Sequence, residues 1–405
     1  MNKLRTKILN VYVSDVLAGR LICVDGDHHT FEIDRGYDWG KGHPVLSLSL
    51  KAKHGGIDYS ELHSRTQLPP FFSNLLPEGH LREYLAAKAR VKPQRVFALL
   101  NALKDDLPGA LKLEAAGKIQ DKSASTFRVE AREEFEWDES LRFSLAGIQL
   151  KFSALESAGK LTIPAHGVGG DYIVKLPSLR YKNVPENEYS MMQLARMVGI
   201  ETAEVELRKT SSIKRIPKDI SENFGQSLVV KRFDRDENKR IHIEDFAQIF
   251  KIYPRDKYGK VSYGGIANVV FKEGGNEQLL EFVRRLTFAL LIGNADMHLK
   301  NWSVIYRHPQ KATLSPAYDM ISTISYLPDY QMALSVAGEK SMHKIGEAHF
   351  RNLAAKMLLP ENLVVNEMRD TKEKFLEVWA KSKSDLPMSG ASRKIIDRHL
   401  DKLSI

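Results

Sequence analysis

The chain has 405 residues, 43% of them hydrophobic and 27% charged, with a formal net charge of +9. This is the balance of a folded globular protein, and the length exceeds what one simple core supports, so two or three domains are expected. Cys23 is the only cysteine, which excludes an intrachain disulfide framework and a multi-thiolate zinc site. No apolar run approaches the roughly 18 residues of a membrane span, so a soluble cytoplasmic protein with no membrane partner is expected. The positive charge permits an acidic partner, nucleic acid or a phosphate-bearing ligand, without requiring one.

From Lys7 to Leu50, short β-branched and apolar runs punctuated by glycines predict a small antiparallel β unit. Two amphipathic helices follow, one over about Leu81 to Arg90 and one starting at Pro93, with Val96, Phe97, Leu99 and Leu100 on its apolar side. The polar stretch Ala116 to Ser140 has few apolar anchors and reads as a surface connection. A second β-rich region predicts strands at Leu150–Leu155, Leu161–Pro164, Tyr172–Leu176, Ala203–Arg208 and Ser227–Phe233, interrupted by a helix from Glu186 to Val198 that Gly199 ends. After His242 the pattern is helical almost throughout. The helix from about Asn276 to Ile292 is the most apolar, while Glu373–Lys381 and Ser392–Leu403 read as outer helices. The order is a β-rich lobe followed by an α-rich lobe, with expected boundaries at 1–105, 106–235 and 236–405.

At the start of the second lobe the chain reads G-N-A-D-M-H-L-K-N-W-S-V, which puts four residues between Asp296 and Asn301, and Asp319 follows in A-Y-D-M. This is the acid–amide spacing of a kinase catalytic loop and its metal-binding partner. Asp296 would accept or orient the proton of an attacking hydroxyl, and Asn301 with Asp319 would hold magnesium. The pair lies between an apolar helix and a strand-like W-S-V-I-Y run, which places it on a buried turn. His298 either orients that turn or simply packs in it, and Lys300 is a candidate for stabilising charge on the transferred phosphate. Upstream, Lys175 closes the apolar strand D-Y-I-V-K-L-P and is placed to reach phosphates, or else snorkels from an edge strand. Glu188 either pairs with Lys175 or favours the start of its helix electrostatically. In F-S-L-A-G-I-Q-L-K, residues 143–151, Ala146 and Gly147 would let backbone approach phosphates and Lys151 adds charge, though an ordinary hairpin has the same composition.

Neither a G-x-x-x-x-G-K-[ST] nor a G-x-G-x-x-G motif is present, which disfavours a Walker-type NTPase. There is also no G-x-S-x-G elbow, and Ser341 with His343 lacks an acid to orient the histidine. Asp25, Asp27, His28 and His29 form D-G-D-H-H, which reads as a solvated turn more readily than as a metal cluster.

Together these segments resemble the HipA family of bacterial serine/threonine kinases, the toxins of HipBA modules. The matching pieces are N-L-L-P-E-G at Leu75, S-L-A-G-I-Q-L-K at Ser144, Y-I-V-K-L-P at Lys175, E-N-E-Y at Glu188 and L-V-V-K-R-F-D-R ending at Arg235. They continue with I-E-D-F-A-Q at Asp245, G-N-A-D-M-H-L-K-N at Asp296 and P-A-Y-D-M-I-S at Asp319, and they cover nearly the whole chain. The resemblance implies an α+β, bilobed, protein-kinase-like fold of the PI3/4-kinase-like HipA type: an extra N-terminal β subdomain, a β-rich N-lobe and an all-α C-lobe. It implies ATP and Mg2+ as cofactors, Asp296 as catalytic aspartate, Asn301 and Asp319 as metal ligands, and Lys175 as a phosphate ligand. Adenine would sit at the strand carrying Val230, Lys231 and Phe233, and the loop of Ser144, Leu145, Ala146, Gly147 and Ile148 would cover the phosphates. Ser144 matches the family's autophosphorylated serine, whose phosphate would expel the loop and switch the kinase off.

Two departures stand out. Ile148 and Leu150 replace the family's common Ala and Glu, and Lys231 stands where the hinge often carries Glu. The resemblance further implies a helix-turn-helix antitoxin like HipB, operator DNA reached through that complex, and an aminoacyl-tRNA synthetase substrate, glutamyl-tRNA synthetase foremost. The alternatives are a small-molecule phosphotransferase on a kinase-like fold, and a non-enzymatic corepressor.

Overall fold

The computed structural model describes residues 7–24, 27–116, 151–157, 159–163, 170–178, 180–216, 225–236 and 239–405. The expected phosphate loop, Ser144 to Ile148, lies outside them.

The first unit is a five-stranded antiparallel sheet of β1 (Lys7–Val13), β2 (Val16–Val24), β3 (His28–Ile33), β4 (Leu62–Arg65) and β5 (Leu111–Ala115), in the order β4-β3-β2-β1-β5. Along β1 every second residue, Leu9, Val11 and Val13, is buried, as the period-2 geometry of a strand facing one core requires. Helices α1 (Pro70–Ser73), α2 (Gly79–Lys88) and α3 (Val96–Ala102) close this core, with Phe72 meeting Phe31 edge-on at 4.9 Å. The unit runs past the boundary expected at residue 105, because β5 returns to pair with β1.

The second sheet takes β6 (Lys151–Ser157), β7 (Lys160–Thr162), β8 (Tyr172–Lys175), β9 (Val205–Lys209) and β10 (Gln226–Lys231) in the order β7-β6-β8-β10-β9. On one face Ala154, Leu161, Val174 and Val229 form a small core. Lys175 is adjacent to Val174 and so points to the other face, where α4 (Val184–Val198) packs. Glu188, Met191, Met192 and Ala195 recur at helical spacing on the buried side of α4, which aims Glu188 at the sheet.

A hairpin of β11 (Arg235–Asp236) and β12 (Lys239–Arg240) leads into the second lobe. This lobe is mainly helical but not all-helical as expected. Strands β13 (His242–Asp245), β14 (Ser303–His308) and β15 (Lys311–Leu314) form one sheet, and β16 (Gln331–Val336) pairs with β17 (Glu339–Ser341). The reason is local: Ser303 to Tyr306 is a buried, β-branched run that pairs on both edges. Around these lie α5 (Phe246–Ile249), α6 (Tyr263–Leu291), α7 (Glu347–Lys356), α8 (Glu361–Ser382) and α9 (Gly390–Leu400). Gly275, at φ 69°, breaks α6, so its apolar second half starts at Asn276 as the sequence pattern predicts. Among the described residues no helix is long and apolar enough to cross a membrane.

The N-terminal unit is docked on the C-terminal lobe. The buried Glu244 of β13 accepts hydrogen bonds from Ser47 Oγ (2.6 Å), the Leu48 amide (2.8 Å) and Tyr306 Oη (2.5 Å). The His242 ring donates to the Leu46 carbonyl at 2.8 Å, and the Asn74 amide donates to the Ile252 carbonyl at 2.8 Å.

Candidate active site

Between the second sheet and the C-terminal lobe lies a cleft of about 340 Å³, a volume in the range of small-ligand sites. Lys175, Glu188, Asp319, Val230, Phe233 and Tyr318 all line it. Lys175 is in a central strand, flanked by β6 through Lys151 and by β10 through Leu228, which rules out the edge-strand reading. Its ammonium is buried and ion-paired with both Glu188 and Asp319. Of the two readings open for Glu188, the structure shows the ion pair. Burial opposes the charge on Lys175, but the two carboxylates prevail and hold its pKa above the usual lysine value.

The two acids do not share that ammonium equally. Burial also disfavours the charge on Asp319, yet Lys175, with Lys151 behind it, drives its pKa down, so it stays ionised. Burial raises the pKa of Glu188, and Lys175 only partly offsets this while Asp319 adds repulsion.

The segment that bears Asp296 and Asn301 is set by its backbone. The α6 helix stops at Ile292, and Gly293 turns the chain at φ 65°, where a Cβ would lie 2.3 Å from the Ile324 side chain. The fully buried Asn294 then bridges the two halves of the site. Its Oδ1 accepts from the Asp296 amide at 3.0 Å, and its Nδ2 donates to the Asp319 carbonyl at 3.4 Å. Thr323 adds a second tie, donating to the Gly293 carbonyl and accepting from the Ala295 amide at 2.8 Å. Asp319 itself sits at φ 54°, in the left-handed region.

Asp296 accepts a hydrogen bond from Tyr258 Oη at 2.7 Å. Burial raises its pKa, against the opposing effects of Tyr258 and Lys257, and 50% of its side-chain surface is open to solvent, which limits the rise. Asn301 donates from Nδ2 to the Asp296 carbonyl at 2.8 Å. That bond fixes the amide and leaves its oxygen without a hydrogen-bond partner among the described residues. His298 is a packed histidine: Tyr258 meets its ring edge-on at 5.0 Å, burial pushes its pKa down to about 3, and its buried Nδ1 has no hydrogen-bond partner among the described residues.

Lys300 lines the cleft, but its ammonium is already engaged. It donates to the Asn74 carbonyl at 2.8 Å and lies 3.3 Å from the half-buried Asp245 carboxylate. Lys151, at the start of β6, lines the cleft beside Lys175. Val230, Lys231 and Phe233 line the side of the cleft formed by β10 and the turn after it, where Phe233 packs on Tyr318 at 5.7 Å. That turn is held by a buried network. Arg232 grips Asp234 through two nitrogens at 3.0 and 2.9 Å and reaches Asp106 at 2.8 Å, while the Gly109 amide donates to Asp234 at 2.8 Å.

Several of these groups were not anticipated: Tyr258 on Asp296, Asn294 as bridge, Asp245 under Lys300, and the Arg232–Asp234 pair. Asp245 was accessible from sequence, since D-F-A-Q is a capping-box pattern, and Asp245 and Gln248 do cap α5 reciprocally at 2.8 Å.

Residues 143–379 match the family model of the HipA-like C-terminal domain, and residues 9–114 match that of the HipA N-terminal domain. The chain is 45% identical over 374 residues to the putative kinase Y4dM of Sinorhizobium fredii, covering 91% of this chain and 90% of that protein. It is 24% identical over 407 residues to the serine/threonine-protein kinase toxin HipA of Shewanella oneidensis, covering 91% and 87%. A chain in the structure of the Shewanella oneidensis HipA, HipB and operator DNA complex aligns with a TM-score of 0.72 at 21% identity, over 97% of this chain and 95% of that one, and so shares the fold. With both domain models matched in order and a full-length kinase relative at this identity, the chain belongs to the HipA family of kinases.

Proposed function

We propose that the protein is an ATP-dependent serine/threonine protein kinase acting as the toxin of a toxin–antitoxin module. The observation that carries this reading is the Lys175 ammonium, held in the inter-lobe cleft by Glu188 and Asp319, with Asn294 joining Asp319 to the segment that bears Asp296. Lys175 keeps Glu188 as its anchor and exchanges Asp319 for the α- and β-phosphates of ATP. Asp319 and the Asn301 amide oxygen fit a hard divalent cation, because one is a carboxylate kept ionised and the other an oxygen with no hydrogen-bond partner among the described residues. Mg2+ held there supplies neutralisation of the phosphate charge that develops during transfer.

Asp296 takes the proton of the substrate hydroxyl as its oxygen bonds to the γ-phosphorus and the bond to the leaving ADP oxygen breaks. Tyr258 orients the Asp296 carboxylate for this step. Lys300 acts as a tie between the catalytic loop and the N-terminal unit, and adenine lies against Val230, Lys231 and Phe233. Ser144 is the self-inactivating phosphosite, the loop of Leu145, Ala146, Gly147 and Ile148 covers the phosphates, and the phosphorylated protein is an aminoacyl-tRNA synthetase such as glutamyl-tRNA synthetase. A HipB-like helix-turn-helix antitoxin neutralises the kinase and carries it to operator DNA.

Purified protein incubated with labelled ATP, cell lysate and small alcohols separates this reading from small-molecule phosphorylation. Label in one or a few proteins supports the kinase, and label in the alcohols alone supports the alternative. Phosphoproteomics of cells expressing wild type against Asp296→Asn then names the substrate. Unchanged toxicity in Asp296→Asn would sink the toxin-kinase reading.

A further inference from the structure

The β2–β3 hairpin of the N-terminal unit carries a group of side chains that the kinase site does not use. Strand register pairs Cys23 directly with His29, which puts both on one face of the sheet, and Asp27 occupies the turn between the strands. His29 continues the buried series of β3 with Phe31 and Ile33, is only 1% exposed, and stacks on Phe97 of α3 at 6.2 Å. Among the described residues, neither of its ring nitrogens has a hydrogen-bond partner. A neutral imidazole carries one donor and one acceptor, and leaving either buried and unmade costs about 1–3 kcal/mol.

Cys23 Sγ, an Asp27 carboxylate oxygen and a His29 ring nitrogen all lie within 4.8 Å of one another. The turn that presents Asp27 is well anchored. Arg95 holds its carboxylate at 3.0 and 3.1 Å, its carbonyl accepts from the Thr66 amide at 2.8 Å, and its backbone is left-handed at φ 56°.

We propose that Cys23, Asp27 and His29 form a binding site for a zinc-class divalent transition-metal ion. One thiolate, one imidazole and one carboxylate are the borderline donor set that such ions select, whereas magnesium and calcium select all-oxygen sites. Zinc bonds to sulfur at about 2.3 Å and to nitrogen at about 2.0–2.1 Å, so binding draws the three donors inward and leaves a fourth position to water. Binding displaces the Cys23 thiol proton to solvent as the metal–sulfur bond forms. The ion satisfies a His29 nitrogen and pins the end of the hairpin against α3. Its place in the N-terminal unit separates it from the magnesium position proposed at Asp319 and Asn301.

The single cysteine makes the test specific, because a thiolate-to-cobalt charge-transfer band reports this site and no other in the chain. Full-length protein, stripped with a chelator, is titrated with cobalt(II) and then zinc(II). The expected result is a near-ultraviolet charge-transfer band that saturates at one equivalent, is bleached by one equivalent of zinc, and is accompanied by a higher melting temperature. Cys23→Ser should abolish the band, and Asp27→Asn and His29→Gln should each weaken cobalt binding by at least roughly tenfold. Asp27 lies in a partly exposed turn, so Asp27→Asn keeps the test decisive should His29→Gln not fold. No band in wild-type protein, or a band of unchanged affinity in Asp27→Asn, overturns the proposal.

Discussion

Replacing Lys175 with Met keeps the volume of the side chain but removes the one cation that, among the described residues, is bonded to both the buried Glu188 carboxylate and the half-buried Asp319 carboxylate. Breaking a buried ion pair by removing one partner costs about 3–5 kcal/mol, because the remaining charge is left without compensation. Here two like charges are left facing each other, with Lys151 still acting on both. The cost must depend on pH. In the wild type, Asp319 has a folded pKa below its unfolded value, so its contribution is present above the ordinary aspartate range and lost as pH falls. In Lys175→Met both carboxylates titrate above their unfolded values, so the variant loses stability as pH rises through that range.

The deficit relative to wild type should therefore be small near pH 4 and reach its full size by about pH 8. At about 2 °C per kcal/mol for a large domain, that is a drop in melting temperature of at least about 6 °C at the higher pH. Adding Glu188→Gln removes one of the opposed charges and should recover part of the loss, giving a favourable coupling in the double-mutant cycle. Scanning calorimetry at several pH values reads all three variants. A deficit that does not change with pH, or a double variant no better than the sum of the singles, refutes the shared-ammonium account.

Asp296→Asn should leave the fold intact and lower phosphoryl transfer by at least about 10²-fold in a labelled-ATP assay. Asp319→Asn should abolish transfer by removing the carboxylate proposed to hold magnesium, and both substitutions should relieve growth inhibition. Tyr258→Phe deletes the hydrogen bond that holds the Asp296 pKa down, so the acid limb of the rate–pH profile should move to higher pH; an unmoved limb would show that Tyr258 does not tune the base. Burial pushes the Glu244 carboxyl up to about 7 from its ordinary value of 4.5, so it contributes stability below about pH 4.5 that is lost as pH rises to 7. Glu244→Gln should remove that pH dependence, worth on the order of 3 kcal/mol, as read from urea midpoints across this window. Ser144→Ala should keep its kinase activity during prolonged incubation with ATP while wild type declines, and mass spectrometry that finds no phosphate on Ser144 would count against the switch.

Much of the site was legible because kinase chemistry constrains local spacing. Asp296 and Asn301 lie within one turn of chain, and Lys175 closes an apolar strand, so each announces itself within a few residues. The helix ending at Gly199 and the one starting after Gly275 were readable for the same reason, since glycine breaks the helical period where the chain turns. What escaped was contact between segments distant in sequence. Tyr258 reaches Asp296 across 38 residues, and Lys300 meets Asn74 across 226, and no pattern in either segment encodes its partner. That is why Lys300 read only as a candidate for stabilising charge on the transferred phosphate, and its tie to Asn74 did not show. The W-S-V-I-Y run was legible as a strand, but the other strands of the second lobe were missed for a related reason. His242 to Asp245 is only four residues long and becomes a strand by pairing with β14 some sixty residues later. His29 read as part of a solvated turn because the burial of alternate β3 positions depends on α3, which arrives much later in the chain.

The contacts of Glu244, His242 and Lys300 with residues 46–48 and 74 also bear on how such a protein can be encoded. These bonds join the first 116 residues to the lobe that carries Asp296 without using peptide continuity. A gene cut between the two would yield polypeptides that still recognise each other, one of them acting as an assembly cofactor for the other. Separate expression would then become an extra layer of control, in which the supply of the smaller piece sets how much of the larger one is assembled.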